Sequence, residues 1–297
     1  MNGAQHAQVP TALGRLATTL RPGSGDRLPL VLSHGIYMDS GLWDAILPAF
    51  GDRTILTIDG PGHGNSADPP AGWTLDQHVG ALLDVLDHHG LDEAVLVGHS
   101  WGGMVSLRLA RAHPHRVAGL GLVNTPLTRP EGLTRAGFRA QQAMLATAGP
   151  VRFYGRRAAA SMYDAASIAH QPHLSDDMAT RLKARRGRVL AQVLESVILK
   201  PEDMLDQLSG VHVPVGVVAG AHDYVLPPAT RRAVAAALPQ ATFTITTGAH
   251  VSPHEDPAVT TGAVRDLLRR AEDHVKPPRA PQRSRTAWNS PHGPTTH

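Results

Sequence analysis

The residue best placed to do chemistry is a serine between two glycines, in Gly98-His99-Ser100-Trp101-Gly102. An apolar run over 94–97 precedes this stretch, and apolar residues at helical spacing follow it over 103–110. A strand that stops at Gly-x-Ser-x-Gly and continues as a helix is the signature of a nucleophile elbow. The glycines are needed because the turn strains the backbone of Ser100, and a side chain two positions away would collide with the neighbouring strand or helix. The pattern predicts a reactive hydroxyl at the carboxyl edge of a sheet.

A serine alone is a poor nucleophile, because it needs a base to accept its proton and a carboxylate to orient that base. Two later strand ends supply candidates: Asp223 follows the apolar run 213–219, and His250 follows the run 242–245. Serine, aspartate, histidine is the chain order of one class of catalytic triads. Since parallel strands bring their carboxyl ends to one edge, we expect Ser100, Asp223 and His250 to meet there.

These strand ends belong to a regular alternation of strands and helices. Strands are predicted at 30–33, 54–58, 94–97, 119–123, 213–219 and 242–245, with an edge strand at 13–20. The spacing of apolar residues predicts helices over 42–50 and 75–86, after the elbow, and from about Asp256 onward. Thr74 and Gln77 have the spacing of a capping box. Together these elements predict an α/β fold with a mostly parallel, twisted sheet flanked by helices.

The alternation stops between 126 and 205, where helical patterns occur without a convincing strand. The simplest interpretation is a helical cap inserted over the carboxyl edge of the sheet. We therefore divide the chain into a flexible N-terminus (1–12), a core domain (13–125 and 206–273), the cap (126–205) and a disordered basic tail (274–297).

The net charge of +3 and the pI near 9.6 do not indicate a nucleic-acid surface. Residues 274–297 hold four cationic side chains and no acidic one, so they carry +4 and residues 1–273 carry −1. This tail is rich in Pro, Ser, Thr and His, which is typical of disordered segments. A basic tail on a nearly neutral body predicts no binding of nucleic acid.

Cysteine is absent from the 297 residues, which excludes disulfides, a cysteine nucleophile and thiolate metal ligands. No stretch approaches the roughly 20 apolar residues of a membrane span, and the first residues lack the pattern of a secretory leader. We therefore expect a cytoplasmic protein with a small-molecule substrate and no membrane partner. Neither an HExxH motif nor a GxGxxG motif after the first strand is present, so we expect no metal and no other cofactor.

Five motifs resemble, in their order, those of the cap-bearing branch of the α/β-hydrolase superfamily. They are His34-Gly35, Asp59-x-x-Gly62-x-Gly64-x-Ser66, Gly98-x-Ser100-x-Gly102, Gly220-x-x-Asp223, and Gly248-x-His250 followed by Glu255-x-Pro257. The resemblance covers roughly residues 13–272, and the cap is its least recognisable part. It implies that Ser100 is the nucleophile, His250 the general base and then acid, and Asp223 the residue that orients His250.

The resemblance also implies roles around these three residues. The backbone N–H groups of Ile36 and Trp101 would form an oxyanion hole. Some members take their acid from the strand after the elbow helix, but that position here is Asn124, which cannot carry the charge. Asp59 precedes the nucleophile, and its motif fixes loops in this family, so we expect it to support the site.

Other histidines compete for the role of base. The chain has 18 of them, and His254 lies close to His250 in sequence, but only His250 has the family's spacing to Glu255. We expect His34 to shape the oxyanion loop. His99, inside the elbow, is expected to line or support the substrate pocket.

Serine at the elbow excludes the haloalkane dehalogenase and epoxide hydrolase mechanisms, which use aspartate there. The expected reaction is acyl transfer, in which a carboxylic ester, lactone or thioester forms an acyl-enzyme that water then cleaves. A C–C bond hydrolase, an amidase, and a cofactor-free haloperoxidase or perhydrolase use the same triad and stay open as alternatives. A non-catalytic, ligand-binding member of the fold also stays open, although a receptor has no need of a base.

Substrate choice is expected to depend on the cap and on the pocket residues Trp43, His99, Trp101 and Met104. Two basic stretches, 152–157 and 181–188, are typical of a solvated helix face. The alternative is that they attract an anionic substrate or carrier.

Overall fold

One sheet of eight strands organises the part of the chain that the structure describes. The structure is a computed structural model, and it describes residues 3–151 and 153–275. The strands are β1 (Gln5–Thr11), β2 (Gly14–Arg21), β3 (Leu30–Ser33), β4 (Ile55–Ile58), β5 (Ala94–His99), β6 (Val117–Val123), β7 (Val215–Gly220) and β8 (Thr242–Thr246). Their order in the sheet is β1-β2-β4-β3-β5-β6-β7-β8. The pairs β1/β2 and β2/β4 are antiparallel, and β3 to β8 run parallel.

The seven predicted strands are confirmed, with bounds that differ by at most two residues. Every residue of β5 and β6 is buried, as expected for parallel strands covered on both faces. Because β5, β7 and β8 are parallel, their carboxyl ends lie at one edge of the sheet. The residues that follow these strands, among them Ser100, Asp223 and His250, are therefore brought to the same side of the molecule.

Ten α-helices in the described ranges flank and extend this sheet. They are α1 (Leu75–His88), α2 (Trp101–Ala112), α3 (Gly132–Ala148), α4 (Tyr154–Met162), α5 (Ala165–His170), α6 (His173–Lys183), α7 (Gly187–Leu194), α8 (Pro228–Ala237), α9 (Ser252–Glu255) and α10 (Pro257–Val275). α2 packs against β3, β5 and β6, and α10 packs against β5 to β8. Gly119 in β6 allows this close approach, since a Cβ there would lie 3.0 Å from the Cβ of Ala271. The predicted α/β fold is confirmed.

The prediction that residues 1–12 form a flexible N-terminus is wrong over most of that range. β1 pairs with β2 from Gln5 opposite Leu20 to Thr11 opposite Gly14. Within β1 only Val9 is buried, so the segment lacks the apolar alternation by which a strand is recognised. β1 lies at the edge of the sheet, where a proline such as the one at position 10 does not interrupt the pairing.

The helix expected over 42–50 is also different, because two short 3-10 helices, Ser40–Trp43 and Leu47–Phe50, take its place. Apolar spacing did predict which side chains are buried, namely Leu42, Trp43, Ile46, Leu47 and Phe50. Pro48 has no N–H to donate to the preceding turn, so one continuous α-helix cannot form there.

Helices α3 to α7 and a π-helical turn at Glu195–Leu199 lie between β6 and β7. We call residues 126–205 the helical insertion. Within it, α3 packs on α7 and α4 packs on α6. Two arginines join it to loops of the sheet: Arg181 Nε lies 2.9 Å from a carboxylate oxygen of Asp39, and Arg185 donates to the carbonyl of Gly64. Most buried apolar side chains of the insertion belong to the same hydrophobic core as those of the sheet.

The predicted basic tail, 274–297, lies outside the described residues except for His274 and Val275, which end α10. Arg152, at the start of the first basic stretch, lies outside them as well. Across the described ranges, no helix has both the length and the apolar character needed to cross a bilayer.

The predicted capping box at the start of α1 is confirmed and can be tested. The Thr74 hydroxyl accepts from the Gln77 N–H at 3.3 Å, and the Gln77 side chain accepts from the Thr74 N–H at 3.0 Å. Thr74→Ala should lower the free energy of unfolding by about 1 kcal/mol, because an N–H group of the first turn loses its partner. Urea denaturation measures the change. Thr180→Ala, the same substitution at an exposed position in α6, should cost nothing, since alanine favours helix; equal losses in both variants would contradict the capping role.

Candidate active site

Ser100 lies in the turn between β5 and α2. Its backbone has φ 50° and ψ −116°, a strained conformation for a residue with a side chain. Gly98 and Gly102 permit the turn. A Cβ at Gly98 would lie 2.2 Å from the carbonyl carbon of Gly102, and one at Gly102 would lie 2.4 Å from the carbonyl oxygen of Ser33. The strand–turn–helix geometry expected of Gly-x-Ser-x-Gly is therefore present.

Ser100, His250 and Asp223 form a continuous chain of short polar contacts. Ser100 Oγ lies 3.0 Å from His250 Nε2, and His250 Nδ1 lies 3.1 and 3.2 Å from the two carboxylate oxygens of Asp223. All three residues are buried. Because a carboxylate can only accept, Nδ1 carries the proton and donates it to Asp223, which leaves the lone pair of Nε2 facing the serine hydroxyl. The geometry suits transfer of the Ser100 proton to His250.

The surroundings of Asp223 keep it ionised. Burial raises its pKa, but the charge of His250 and hydrogen bonds from His250, from Asn124 Nδ2 at 2.8 Å and from the Val225 N–H at 2.9 Å outweigh burial, so the pKa lies below its ordinary value. Asn124 also donates to the carbonyl of Ala249 at 3.1 Å. The asparagine that follows β6 therefore joins the carboxylate to the loop of His250.

Two backbone N–H groups beside Ser100, those of Ile36 and Trp101, take no part in the backbone hydrogen bonds of the described residues. Trp101 is the first residue of α2, where N–H groups have no partner within the helix. The loop of Ile36 touches the serine, since a Cβ at Gly35 would lie 2.9 Å from the Cβ of Ser100. Both residues line the same cavity as Ser100, so their N–H groups are candidates for the predicted oxyanion hole.

The loop that carries Ile36 is fixed by two buried histidines. His34 Nε2 accepts from the N–H of Gly60 at 2.7 Å, and His63 Nε2 accepts from the N–H of Tyr37 at 3.2 Å. Burial lowers the pKa of both rings, that of His63 to about 3, so both are neutral and able to accept. The expected structural role of His34 is confirmed. Sequence reasoning misses the role of His63, although this residue lies inside the second quoted motif.

The expectation that Asp59 supports the site is confirmed. Its carboxylate accepts from the N–H groups of Ser40 and Asn65, each at 2.8 Å, and the Ser66 hydroxyl donates to its carbonyl at 2.6 Å. Gly64, with φ 49°, allows this arrangement because a Cβ there would lie 2.0 Å from the carboxylate. Asp59 therefore ties the loop after β3 to the loop after β4.

Glu255 holds the loop of His250 in the same way. One carboxylate oxygen accepts from the N–H groups of Ala249 and Val251, at 2.9 and 3.0 Å, which flank the histidine. The other accepts from the N–H of Asp164 in the helical insertion at 2.7 Å. The sequence shows Glu255 only as a spacing marker in a motif. The structure shows that it joins the histidine loop to the insertion.

A mostly apolar cavity of about 260 Å³ opens at Ser100 and His250. Both parts of the chain contribute to its wall: Trp101 and Met104 come from α2, and Phe138, Met162 and Val197 from the helical insertion. Met104 was expected at this position from the sequence. The residues of the insertion were not, because a helical pattern alone does not tell which apolar side chains face the site.

Two predicted pocket residues, Trp43 and His99, do not line this cavity. Trp43 is fully buried in the core, at the end of the 3-10 helix Ser40–Trp43. His99 is buried behind Ser100: its Nε2–H donates to the carbonyl of His250 at 2.7 Å, and a Cβ at Gly35 would lie 2.5 Å from its Nδ1. The pocket role is corrected for both residues, and His99 supports the histidine loop instead.

The basic stretches do not reach the cavity either, as far as their residues are described. Arg156 pairs with Asp176 at 3.3 Å, and Arg186 pairs with Asp68 at 3.4 Å. All four side chains are well exposed. These contacts favour a solvated helix face at Arg156 and Arg186, whereas Arg181 and Arg185 of the second stretch bind loops of the sheet.

Comparison with known sequences agrees with this geometry. A family model described as alpha/beta hydrolase fold matches residues 29–257. The chain belongs to the α/β-hydrolase family. Its membership, the eight-stranded sheet and the serine at the elbow make it an α/β-fold hydrolase.

Individual relatives differ in how much of the chain they match. A pimeloyl-[acyl-carrier protein] methyl ester esterase of Aromatoleum aromaticum is 35% identical over 73% of this chain and 88% of that protein. A dihydrolipoyllysine-residue acetyltransferase component of the acetoin cleaving system of Pseudomonas putida is 39% identical, but the match covers 41% of this chain and only 34% of that longer protein. The solved enol-lactonase of Burkholderia xenovorans has a TM-score of 0.80 over 89% of this chain and 100% of that chain, at 23% identity, which is a likeness of fold.

Buried neutral histidines should make the stability of this α/β-hydrolase depend on pH. Burial lowers the pKa of His63, His78 and His99 from 6.5 to about 3. Between these values the unfolded chain binds more protons than the folded one. The free energy of unfolding should therefore fall as the pH drops below about 6.5, by about 1.4 kcal/mol per pH unit for each histidine. Urea denaturation between about pH 7.5 and about pH 4.5 measures the slope.

His78 offers the variant for this test, because its Nδ1 has no hydrogen-bond partner among the described residues. His78→Leu should reduce the slope of the free energy of unfolding against pH by the contribution of one proton, about 1.4 kcal/mol per pH unit. His88→Gln, at an exposed position in the same helix, should leave the slope as it is. A free energy of unfolding that stays level between neutral and mildly acidic pH would contradict the assignment of neutral rings.

Proposed function

We propose that the chain is a serine hydrolase that cleaves a carboxylic ester, lactone or thioester of a small organic substrate. The observation that carries the proposal is the unbroken contact from Asp223 through His250 to Ser100, which ends at an apolar cavity. A hydroxyl placed in this way is a nucleophile with its base already in position. The methyl ester esterase among the relatives supports ester chemistry.

The first half of the reaction forms an acyl-enzyme. Ser100 Oγ attacks the substrate carbonyl carbon while His250 Nε2 takes the hydroxyl proton. The negative charge that develops on the carbonyl oxygen is stabilised by the N–H groups of Ile36 and Trp101. His250, now cationic and paired with Asp223, then donates its proton to the leaving oxygen or sulfur. The bond to the leaving group breaks, and the acyl group stays on Ser100.

The second half returns the enzyme to its starting state. Water enters the place of the leaving group, and His250 takes one of its protons as the hydroxide attacks the acyl carbon. Collapse of the second tetrahedral intermediate releases the acid and returns the proton to Ser100 Oγ. No step changes an oxidation state. His250 carries every proton between Ser100, the leaving group and water, while Asp223 stays ionised.

The alternatives from the sequence use the same side chains but make different demands. A C–C bond hydrolase must protonate a carbon leaving group, and a perhydrolase must admit peroxide in place of water. Among the described residues that line the cavity, we find no contact that would favour protonation of a carbon or binding of peroxide. A non-catalytic receptor has no use for a histidine that contacts both Ser100 and Asp223, so the ester-type reaction is the best supported.

The nucleophile can be tested by covalent labelling. A fluorophosphonate should label the native chain at Ser100, because the base that activates the hydroxyl for an ester also activates it for the phosphorus centre. Ser100→Ala should abolish labelling and lower kcat for p-nitrophenyl butyrate by on the order of 10⁴-fold or more. Ser106, a buried serine in α2 whose hydroxyl bonds the carbonyl of Gly102, provides the matched control: Ser106→Ala should keep the labelling. Labelling that persists in Ser100→Ala would overturn the assignment.

The acid can be tested by comparing two neighbours. Asp223→Asn should lower kcat by on the order of 10⁴-fold, because the amide cannot stabilise the cationic form of His250. Asn124→Ala keeps the carboxylate and its contact with His250, although it removes the hydrogen bonds of the amide to Asp223, to the Ala249 carbonyl and from the Ser252 N–H. The loss should therefore be smaller, about tenfold, with a raised pKa of Asp223. The pH dependence of kcat/KM for both variants separates the two effects. A mild loss in Asp223→Asn would mean that another group acts as the acid.

A further inference from the structure

Three polar side chains, Tyr37, Tyr154 and Gln141, meet at the boundary between the sheet and the helical insertion. The hydroxyl oxygens of Tyr37 and Tyr154 are 2.7 Å apart, and Gln141 Nε2 lies 3.1 Å from the first and 2.5 Å from the second. Tyr37 comes from the loop after β3, Gln141 from α3 and Tyr154 from α4. We call these three residues the donor cluster. Two of its members, Tyr37 and Gln141, line the cavity that opens at Ser100.

The donor cluster holds more hydrogens than its own contacts can use. The amide nitrogen of Gln141 carries two hydrogens and each tyrosine hydroxyl carries one, which makes four donors for three contacts. At least one hydrogen is therefore left without an acceptor inside the cluster. If the Gln141 amide is turned over, its oxygen accepts from the tyrosines and both amide hydrogens become free, so the surplus grows.

Both hydroxyls are protonated at neutral pH and can donate hydrogen bonds. Burial raises the pKa of Tyr37 well above its ordinary value, and it raises the pKa of Tyr154 as well. Both residues are 6% exposed, so the two tyrosines of the donor cluster are buried. A buried donor without an acceptor is costly, about 1–3 kcal/mol, and an acceptor from a bound molecule would remove that cost.

The backbone of Tyr37 is strained, which indicates that the surrounding structure fixes the position of its side chain. Its φ of 68° is in the left-handed region, which costs a bulky residue of order 1–3 kcal/mol and persists only where the surroundings impose it. The bond from its N–H to His63 at 3.2 Å and the contacts of its hydroxyl fix this conformation. Tyr37 directly follows Ile36, and both residues line the cavity that opens at Ser100.

The charges around the cavity favour an uncharged acceptor. Apart from His250 and the tyrosines, the ionisable side chains that line it in the described residues are Arg129 and Glu202. They have opposite signs and are both exposed. A carboxylate bound at the buried tyrosines would have no buried cation beside it, and burying an unpaired charge is strongly unfavourable. A carbonyl or ether oxygen can accept the surplus hydrogen without that penalty.

We propose that the donor cluster is a second binding subsite, which accepts an uncharged oxygen of the substrate a few bonds away from the carbonyl that Ser100 attacks. The substrate class is then an ester, lactone or thioester that carries a second carbonyl or ether oxygen. This inference rests on the proposed acyl transfer for its place in a reaction, but the subsite itself can be tested by binding alone.

Pairs of esters that differ only in the acceptor test the subsite. One series consists of p-nitrophenyl esters with a ketone at carbon 4, 5 or 6 of the acyl chain, each paired with the ester in which C=CH₂ replaces C=O. The second series places the difference in the alcohol: butanoates of 4-hydroxybutan-2-one and of 3-methylbut-3-en-1-ol. Each kcat/KM is divided by the rate at which hydroxide alone cleaves that ester. For at least one pair the native chain should prefer the ketone by about tenfold or more.

Variants of the cluster should remove this preference. In Tyr37→Phe and in Gln141→Leu the ratio of ketone to alkene should fall to about one or below, whatever happens to the absolute rates, because the ketone oxygen then loses its donor. Tyr224→Phe is the matched control. It removes a hydroxyl that also lines the cavity but lies outside the cluster, and it should retain the ratio of the native chain.

Binding to Ser100→Ala separates failure of the subsite from failure of the proposed function. In this variant the Kd of the ketone esters should be lower than that of the alkene esters, and adding Tyr37→Phe should abolish the difference. If no ester is cleaved and Ser100 is not labelled but the Kd difference is present, the acyl-transfer proposal fails and the subsite stands. Equal values for every pair, a preference that survives Tyr37→Phe and Gln141→Leu, or stronger binding of carboxylate-bearing analogues would overturn the subsite.

Discussion

The left-handed backbone at Ser100 is the constraint on which the rest of this structure depends. Holding a residue with a side chain at φ 50° costs of order 1–3 kcal/mol, and the turn survives because β5 and α2 pack directly on both sides of it. Gly98 and Gly102 allow that packing, since neither position has room for a Cβ. A buried parallel strand and a buried helix are therefore prerequisites for placing the Ser100 hydroxyl at the cavity, which is why the site cannot be separated from the fold.

The same kind of strain recurs at the neighbouring strand ends. Among the described residues that are not glycine, positive φ angles occur at Tyr37, Ser100 and Asn124. They follow β3, β5 and β6, which lie side by side in the sheet. Each side chain turns toward the proposed chemistry: Tyr37 lines the cavity, Ser100 contacts His250, and Asn124 donates to Asp223. Backbone strain is therefore concentrated at the carboxyl ends of three adjacent strands. Such strain is typical of functional sites, where the exact position of a side chain is kept at a cost in folding stability.

The features that the sequence predicts well are those that depend on neighbours in the chain. The parallel strands, the α1 cap and the meeting of Ser100, Asp223 and His250 follow from short patterns and from the geometry of parallel sheets. The features it misses depend on distant contacts. β1 is held by pairing rather than by apolar side chains. Trp43 is packed in the core rather than at the cavity, which its place in an apolar pattern does not reveal. Gln141 and Tyr154 lie on helices whose packing no motif records, so their contact with Tyr37 is visible only in the structure.

Neutral histidines explain how so many polar groups can be buried near one carboxylate. His34 and His63 each make two hydrogen bonds to backbone groups of the loops around Ser100, and His99 makes one. Because burial lowers the pKa of all three, they add no charge to the region where an oxyanion would form. A lysine or arginine at one of these positions would compete with His250 for the interaction with the Asp223 carboxylate. An aspartate there would repel the oxyanion. Because the imidazoles are neutral, they fix the loops without adding to the electrostatic field at Ser100, which comes from Asp223 and the backbone N–H groups.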